Sequence, residues 1–234
     1  MQAASRRRRR RLVAVGLVLG VLLAVAWGVS MSPLLAVDQV QVRGLQHLTP
    51  GDIETAGGVH AGDAMAWIDM SGAVQGIEAL PYVHDASIQR EWPKTVRIIV
   101  HERTPSAWVD GPSGKALVDR AGRVLEIVES SPPAMPQLLG VKVVPPPGGT
   151  IDATGAARVA GALHGIAAAG TTSVETTDHG VVMKLASGPE IRMGEATRIG
   201  VKIRAGLAVL GACDGKPIDY VDVSVPTNPV AGGC

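Results

Sequence analysis

Six consecutive arginines, Arg6 to Arg11, run straight into an uncharged apolar stretch from Leu12 to Val29. At about 1.5 Å per residue, roughly 18 helical residues approach the hydrocarbon thickness of a bilayer, about 30 Å. The run predicts a transmembrane helix over 12–29 behind a short basic cytoplasmic tail, 1–11, because basic flanks are retained in the cytoplasm while the rest of the chain crosses. Trp27 falls where an interfacial aromatic belongs. A cleaved secretory signal shares these ingredients, with Ala24-Val25-Ala26 as a small-x-small site. The apolar run is long for a signal and continues past that triplet, which favours a retained single-pass anchor. On either reading the remaining residues work outside the cytoplasm.

Beyond this segment about 200 residues remain, enough for one large domain or two small ones. Six of the 22 basic residues lie in the arginine block, so the 16 that follow face 21 acidic residues, a net charge near −5. Such a surface argues against nucleic acid as a partner. With no phenylalanine and two tyrosines, the core has to be built from Val, Ile, Leu, Ala and Met. The two cysteines, Cys213 and Cys234, would sit in a disulfide-permissive compartment, where pairing is possible but unforced.

Periodicity divides the exported part into two units and makes it α+β. Val37 to Gly44 reads as a strand. Thr49-Pro50-Gly51-Asp52 then starts a helix, with a threonine cap, a proline at the first position and a carboxylate three residues past the cap. Asp69 caps a second helix carrying Ala73, Ile77 and Leu80, which Pro81 stops. Two strands follow, Val83 to Arg90 and Thr95 to Glu102, the second with Val96, Ile98 and Val100 on one face. The β-α-α-β-β order over 35–104 predicts a small module with both helices on one sheet face. The Trp92-Pro93 turn between its last two strands reads as packed rather than as a contact. The final strand, Thr95 to Glu102, is a possible edge for a partner or for the second unit.

From 105 to 226 a second, β-rich unit with two helices is expected. Lys115 to Val118 and Arg123 to Val128 flank a turn at Asp119-Arg120-Ala121-Gly122. One helix carries Val159, Leu163 and Ile166, another Ile203, Leu207 and Leu210, with a hairpin over Val181 to Leu185 and Glu190 to Met193 between them. Trp108, just past the junction, is placed to pin the units together. Tyr220 to Val225 is the last strand, with Val221, Val223 and Val225 inward, and 227–234 reads as a flexible tail.

Enzyme chemistry has no foothold in this pattern. The six histidines are scattered, and none falls in an H-E-x-x-H or H-x3-5-H spacing. Gly111-Pro112-Ser113-Gly114-Lys115 has two rather than four residues between its glycines and Ala116 in place of the metal-binding hydroxyl, so it reads as a surface turn. No catalytic residue, cofactor, metal site or small-molecule substrate is expected. Function then has to be recognition, and an exposed strand edge offers it, because an extended segment of another chain can add to the sheet. Tyr220, Val221, Asp222, Val223, Ser224 and Val225 are the candidate partner-binding residues, as the last strand of the chain. Tyr220 would be the anchor, unless it merely packs against a neighbouring strand.

Several motifs carry a family resemblance: Val42-Arg43-Gly44, Gly57-Gly58-Val59, Leu80-Pro81-Tyr82-Val83, Arg90-Glu91-Trp92-Pro93 and Val100-His101-Glu102-Arg103-Thr104-Pro105. Together they resemble the POTRA module of the FtsQ/DivIB division proteins. More weakly, Leu117-Val118-Asp119, Met193-Gly194 before a helix with Lys202, and Tyr220-Val221-Asp222 are similar to that family's β domain. The resemblance implies a bitopic scaffold in the cell membrane at the division septum, binding FtsB and FtsL and helping to organise septal peptidoglycan synthesis. It also points to the Tyr-x-Asp segment. The alternative is a polypeptide-docking component of an envelope transport or secretion system, since POTRA modules serve there too. Such proteins usually carry several modules and a barrel, for which this chain has no run of strands.

Overall fold

Leu12 to Val29 lies inside one helix, α1 (Gln2–Ser30), of the computed structural model, which describes residues 2–30, 35–132, 135–163, 170–213 and 218–233. The side chains described along α1 run from Val13 to Gly28, with Ser30 beyond, and all from Val13 to Gly28 are exposed. Its large apolar side chains, from Val13 through Leu19 and Leu23 to Trp27, are each more than half exposed. Among the described residues no helix is long and apolar enough to cross a membrane, the side chains described in α1 from 13 to 28 covering less than the apolar run 12–29. The chain divides into two units, Met1–Glu102 and Arg103–Cys234.

After α1 the first unit follows the expected β-α-α-β-β order. It comprises β1 (Gln39–Arg43), α2 (Pro50–Gly57), a single 3-10 turn (Met65–Trp67), α3 (Met70–Glu78), β2 (Val83–Glu91) and β3 (Thr95–Glu102). Thr49 and Asp52 form a reciprocal capping box at the start of α2, and the Asp69 carboxylate accepts from the N–H groups of Ser71 and Gly72 at the start of α3. Ile53, Ala73 and Ile77 from the helices meet Val96, Ile98 and Val100 of β3 in one aliphatic core. The sheet order is β1-β3-β2, parallel between β1 and β3 and antiparallel between β3 and β2. Strand β3 is therefore central, which corrects the expectation that Thr95 to Glu102 forms an edge: β1 is the first strand in sequence but pairs with the last. Trp92, at the β2–β3 turn, is exposed rather than packed.

Among the described residues the second unit is one open sheet with two helices. Its strands are β4 (Pro105–Gly111), β5 (Gly114–Asp119), β6 (Val124–Val128), β7 (Gln137–Leu139), β8 (Thr171–Thr177), β9 (Gly180–Leu185), β10 (Glu190–Gly194), β11 (Tyr220–Asp222) and β12 (Val230–Gly232). Their order is β12-β11-β10-β9-β8-β7-β4-β5-β6. Three neighbouring pairs are parallel, β4–β7, β7–β8 and β10–β11, and need crossovers: β5 and β6 lie between the first pair, and the helices α4 (Thr154–Leu163) and α5 (Ile199–Ala212) between the second and third. Ala156, Ala157, Val159 and Ala160 of α4 and Ile203 of α5 are buried against Val174, Met183, Ile191 and Val221 of the sheet. Ile166, expected on the first of these helices, lies outside the described residues. Gly111 pairs with Gly114 across a tight hairpin, so the glycine-rich segment is the turn between β4 and β5. Trp108 donates its ring N–H to the Met135 carbonyl within this unit, at 3.2 Å.

Two carboxylates explain the Glu-Arg motif at the unit boundary. The Glu102 side chain, almost fully buried, accepts from the N–H groups of Gln46, His47 and Leu48 at 3.0, 2.8 and 3.1 Å, tying the loop after β1 to the end of β3. Arg103 bonds Asp119 at 2.9 Å, while Asp119 also accepts from Ala121 and Arg123 and so closes the β5–β6 turn around Gly122, whose φ of +82° suits glycine. Burial alone would raise the Glu102 carboxyl. The three N–H donors and the adjacent His47 outweigh it, leaving the group below its usual range. A carboxyl depressed on folding stabilises fully above its unfolded value, and that contribution is lost as pH falls through the folded value. Glu102→Gln should therefore destabilise the protein by about 2 kcal/mol near neutral pH. In urea denaturation the gap from the parent should close as the solution is acidified below the carboxylate range.

Candidate partner-binding edge

The last strand pairing overturns the expected site geometry. Strand β11 is flanked on one side by β10, with Glu190 opposite Tyr220 and Arg192 opposite Asp222, and on the other by β12, with Gly232, Ala231 and Val230 opposite Tyr220, Val221 and Asp222. Tyr220 to Asp222 is thus interior, and among the described residues β12 ends the sheet. The tail expected over 227–234 as flexible contains this strand. Of the remaining candidates, Val221 and Val223 are fully buried, whereas Val225 is 56 % exposed instead of facing inward. The cause is local: the Asp222 carboxylate accepts from the Ser224 N–H at 2.8 Å and from its hydroxyl at 2.6 Å, turning the chain and ending the alternation.

What the strand presents outward is a layered aromatic arrangement. The Arg192 guanidinium lies 3.9 Å from the centroid of the Tyr220 ring. On the β12 side the ring lies so close over Gly232 that a Cβ there would fall 2.5 Å from it. Only glycine leaves room for the tyrosine to reach across the edge strand. Further in, Lys184 links Glu175 and Glu190 at 3.2 and 3.8 Å, giving a charged ladder across β8, β9 and β10. At the opposite end of the sheet the start of β6 is covered, because Val124 exchanges bonds with Gly148 and Gly149 and Arg123 bridges Thr150. Among the described residues no three His, Cys, Asp or Glu side chains stand close enough to hold a metal ion.

A buried lysine holds this end of the sheet in place. Lys202 of α5, 2 % exposed, donates to the carbonyls of Met193 at 2.7 Å and Glu195 at 2.9 Å, joining the crossover helix to the end of β10. Burial, aided by Arg198, pushes its ammonium below its ordinary value. Cys213, which follows α5, is disulfide-bonded, and the only other cysteine in the chain, Cys234, lies outside the described residues.

Residues 35–103 match the POTRA domain, FtsQ-type. The likeness runs well beyond that module. Cell division protein FtsQ of Streptomyces bingchenggensis is 30 % identical over 231 residues, covering 95 % of this chain and 86 % of that protein. The chain belongs to the FtsQ family. Cell division protein FtsQ of Streptomyces venezuelae is 29 % identical over 93 % of this chain and 83 % of its own length, and that of Anaeromyxobacter sp. is 31 % identical over 51 % and 44 %. As an FtsQ-family member the chain is a non-enzymatic cell division protein, and the transport alternative loses its ground because the likeness spans both units. Neither β12 nor Arg192 was singled out by sequence reasoning. The available signal was the alternation of Arg192 with buried Ile191 and Met193; a three-residue Val-Ala-Gly strand carries almost none. Lys202→Met should lower stability by about 2 kcal/mol, through two stranded carbonyls, in chemical denaturation.

Proposed function

We propose that this FtsQ-family chain is a single-pass membrane protein of the divisome, with its N-terminus cytoplasmic and both units outside, and that it receives an extended segment of FtsB, accompanied by FtsL, along β12. The observation that carries the docking mode is that, among the described residues, Val230–Gly232 ends the sheet, with a row of backbone groups that β11 does not use. An added strand satisfies those groups, and the side chains beside them select the partner. Tyr220 and Asp222, one strand in, contribute side chains to the face the partner crosses, while Val221 and Val223 stay in the core. Val230, 54 % exposed, is the apolar contact on the edge itself. The arginine block and the apolar length of Leu12 to Val29 support the anchor, and the exposed side chains of α1 are what a lipid-facing helix presents. By gathering FtsB and FtsL at the septum, the protein would help to organise septal peptidoglycan synthesis without any reaction of its own.

Prolines introduced singly test the backbone contact, since a proline lacks the N–H that a ladder needs. Of Val230→Pro and Ala231→Pro, one removes an outward N–H, and that variant should weaken FtsB binding at least about tenfold, the equivalent of one or two lost hydrogen bonds. Tyr220→Ala should also weaken binding while leaving the denaturation midpoint nearly unchanged. Titration of purified FtsB extracytoplasmic segment against the full-length protein reads both. Undiminished affinity in both proline variants would refute docking at β12.

A further inference from the structure

Three of the four tryptophans are exposed, and the first unit gathers them at one end. Trp27 in the last turns of α1 is 58 % exposed, Trp67 in the 3-10 turn 53 % and Trp92 at the β2–β3 turn 57 %. The chain that leaves α1 is stitched to both turns within a few residues. Ala36 bridges Ala64, Val37 donates to the Asp63 carbonyl at 2.8 Å, and Gly62 donates to the Val37 carbonyl at 2.7 Å, which fixes the loop bearing Trp67. Asp38 then donates to the Lys94 carbonyl at 2.8 Å and pairs with its ammonium at 2.9 Å, which fixes the turn bearing Trp92 at the same level. Arg90 closes the arrangement by donating to the carbonyls of Met65 and Ile68.

Ser30 and Ala36 are six residues apart, so this end of the module stays within about 20 Å of the end of α1 however the intervening chain runs. The Trp27 and Trp67 rings stand 5.0 Å apart, and the Trp67 ring N–H donates to the Ser30 hydroxyl at 3.2 Å. We infer that this end of the first unit is a lipid-facing surface, on which Trp67 and Trp92 enter the headgroup layer beside Trp27 and hold the module against the outer face of the bilayer. The inference rests on the anchor reading above.

The chemistry fits the interfacial zone in particular. An indole combines a flat apolar body with one N–H donor, which suits a layer that is apolar on one side and wet on the other. The charges nearby are already committed: Asp38 to Lys94, Glu91 to Arg97, Asp63 to the His60 N–H, and Asp69 to the first turn of α3. With no free basic patch at this end among the described residues, the contact depends on the indoles and should be insensitive to salt and to the anionic lipid fraction.

Full-length protein reconstituted in phosphatidylcholine vesicles, with bromine near the headgroup end of the acyl chains, reads each indole by quenching. Trp108 is left in place throughout as a reference in the second unit. The exposed tryptophans are replaced by phenylalanine so that one of Trp27, Trp67 or Trp92 remains with it, and a further variant, W27F/W67F/W92F, keeps Trp108 alone. Bromine is expected to remove more emission from the Trp27, Trp67 and Trp92 variants than from the variant that keeps Trp108 alone, which sets the baseline, with little change between low and high salt. Loss confined to the Trp27 variant would overturn it while leaving the anchor standing. No loss in any variant would overturn the anchor and this surface together.

Discussion

An open sheet has to end in a row of unpaired N–H and C=O groups, and the second unit depends on which strand ends it. The chain folds β10 and β11 side by side in parallel, which requires a crossover, and α5 supplies it with Ile203 in the core and Lys202 bonded to the end of β10. That crossover delivers β11 to the outside of β10. The short antiparallel return from β11 then leaves β12 outermost. The edge is thus a consequence of chain order and handover, not of any property of the edge residues themselves.

An aliphatic core suits this topology. With no phenylalanine in the chain, the helices approach the sheet through alanine and valine on α4 and through Ile203 on α5, and the sheet answers with Val174, Met183, Ile191 and Val221. Small residues on α4 let the helix axis sit close over the strands. The larger polar contributions come from single buried groups that satisfy backbone atoms: Glu102 for three N–H groups, Asp119 for two, Lys202 for two carbonyls. Each replaces water at a place where the loop or helix end would otherwise carry unpaired donors or acceptors.

Much of the first unit was legible because its signals are local. The Thr49 box, the Asp69 cap and the alternation of Val96, Ile98 and Val100 each state their structure within a few residues. The strands of the second unit at Lys115 to Val118 and Val181 to Leu185 were legible for the same reason. What escaped is non-local. The parallel pairing of β1 with β3 places Thr95 to Glu102 in the middle of its sheet, and no periodicity announces that. Strands β7 and β12 are three residues each, held by their neighbours rather than by their own composition. Val225 failed because the Asp222 carboxylate, accepting from the Ser224 N–H and hydroxyl, redirected the chain, and Trp92 because a turn between two well-paired strands needs no packing of its own.

If a partner docks at β12 as proposed, the shortness of that strand sets how it would be held. Three residues can offer an added strand only a few backbone bonds, each worth about 1 kcal/mol net, and such a contact by itself is too weak and too general to define one partner. Pro226 and Pro229 flank the turn into the strand, which keeps the edge from extending and blunts it against stray pairing. On that reading selectivity would fall to what lies beside the strand, namely the Tyr220 ring pressed between Arg192 and Gly232. A rigid ring of this kind loses little freedom when a partner covers it. On the proposed docking at β12 the glycine would belong to the recognition surface, because a larger residue at 232 would displace the Tyr220 ring.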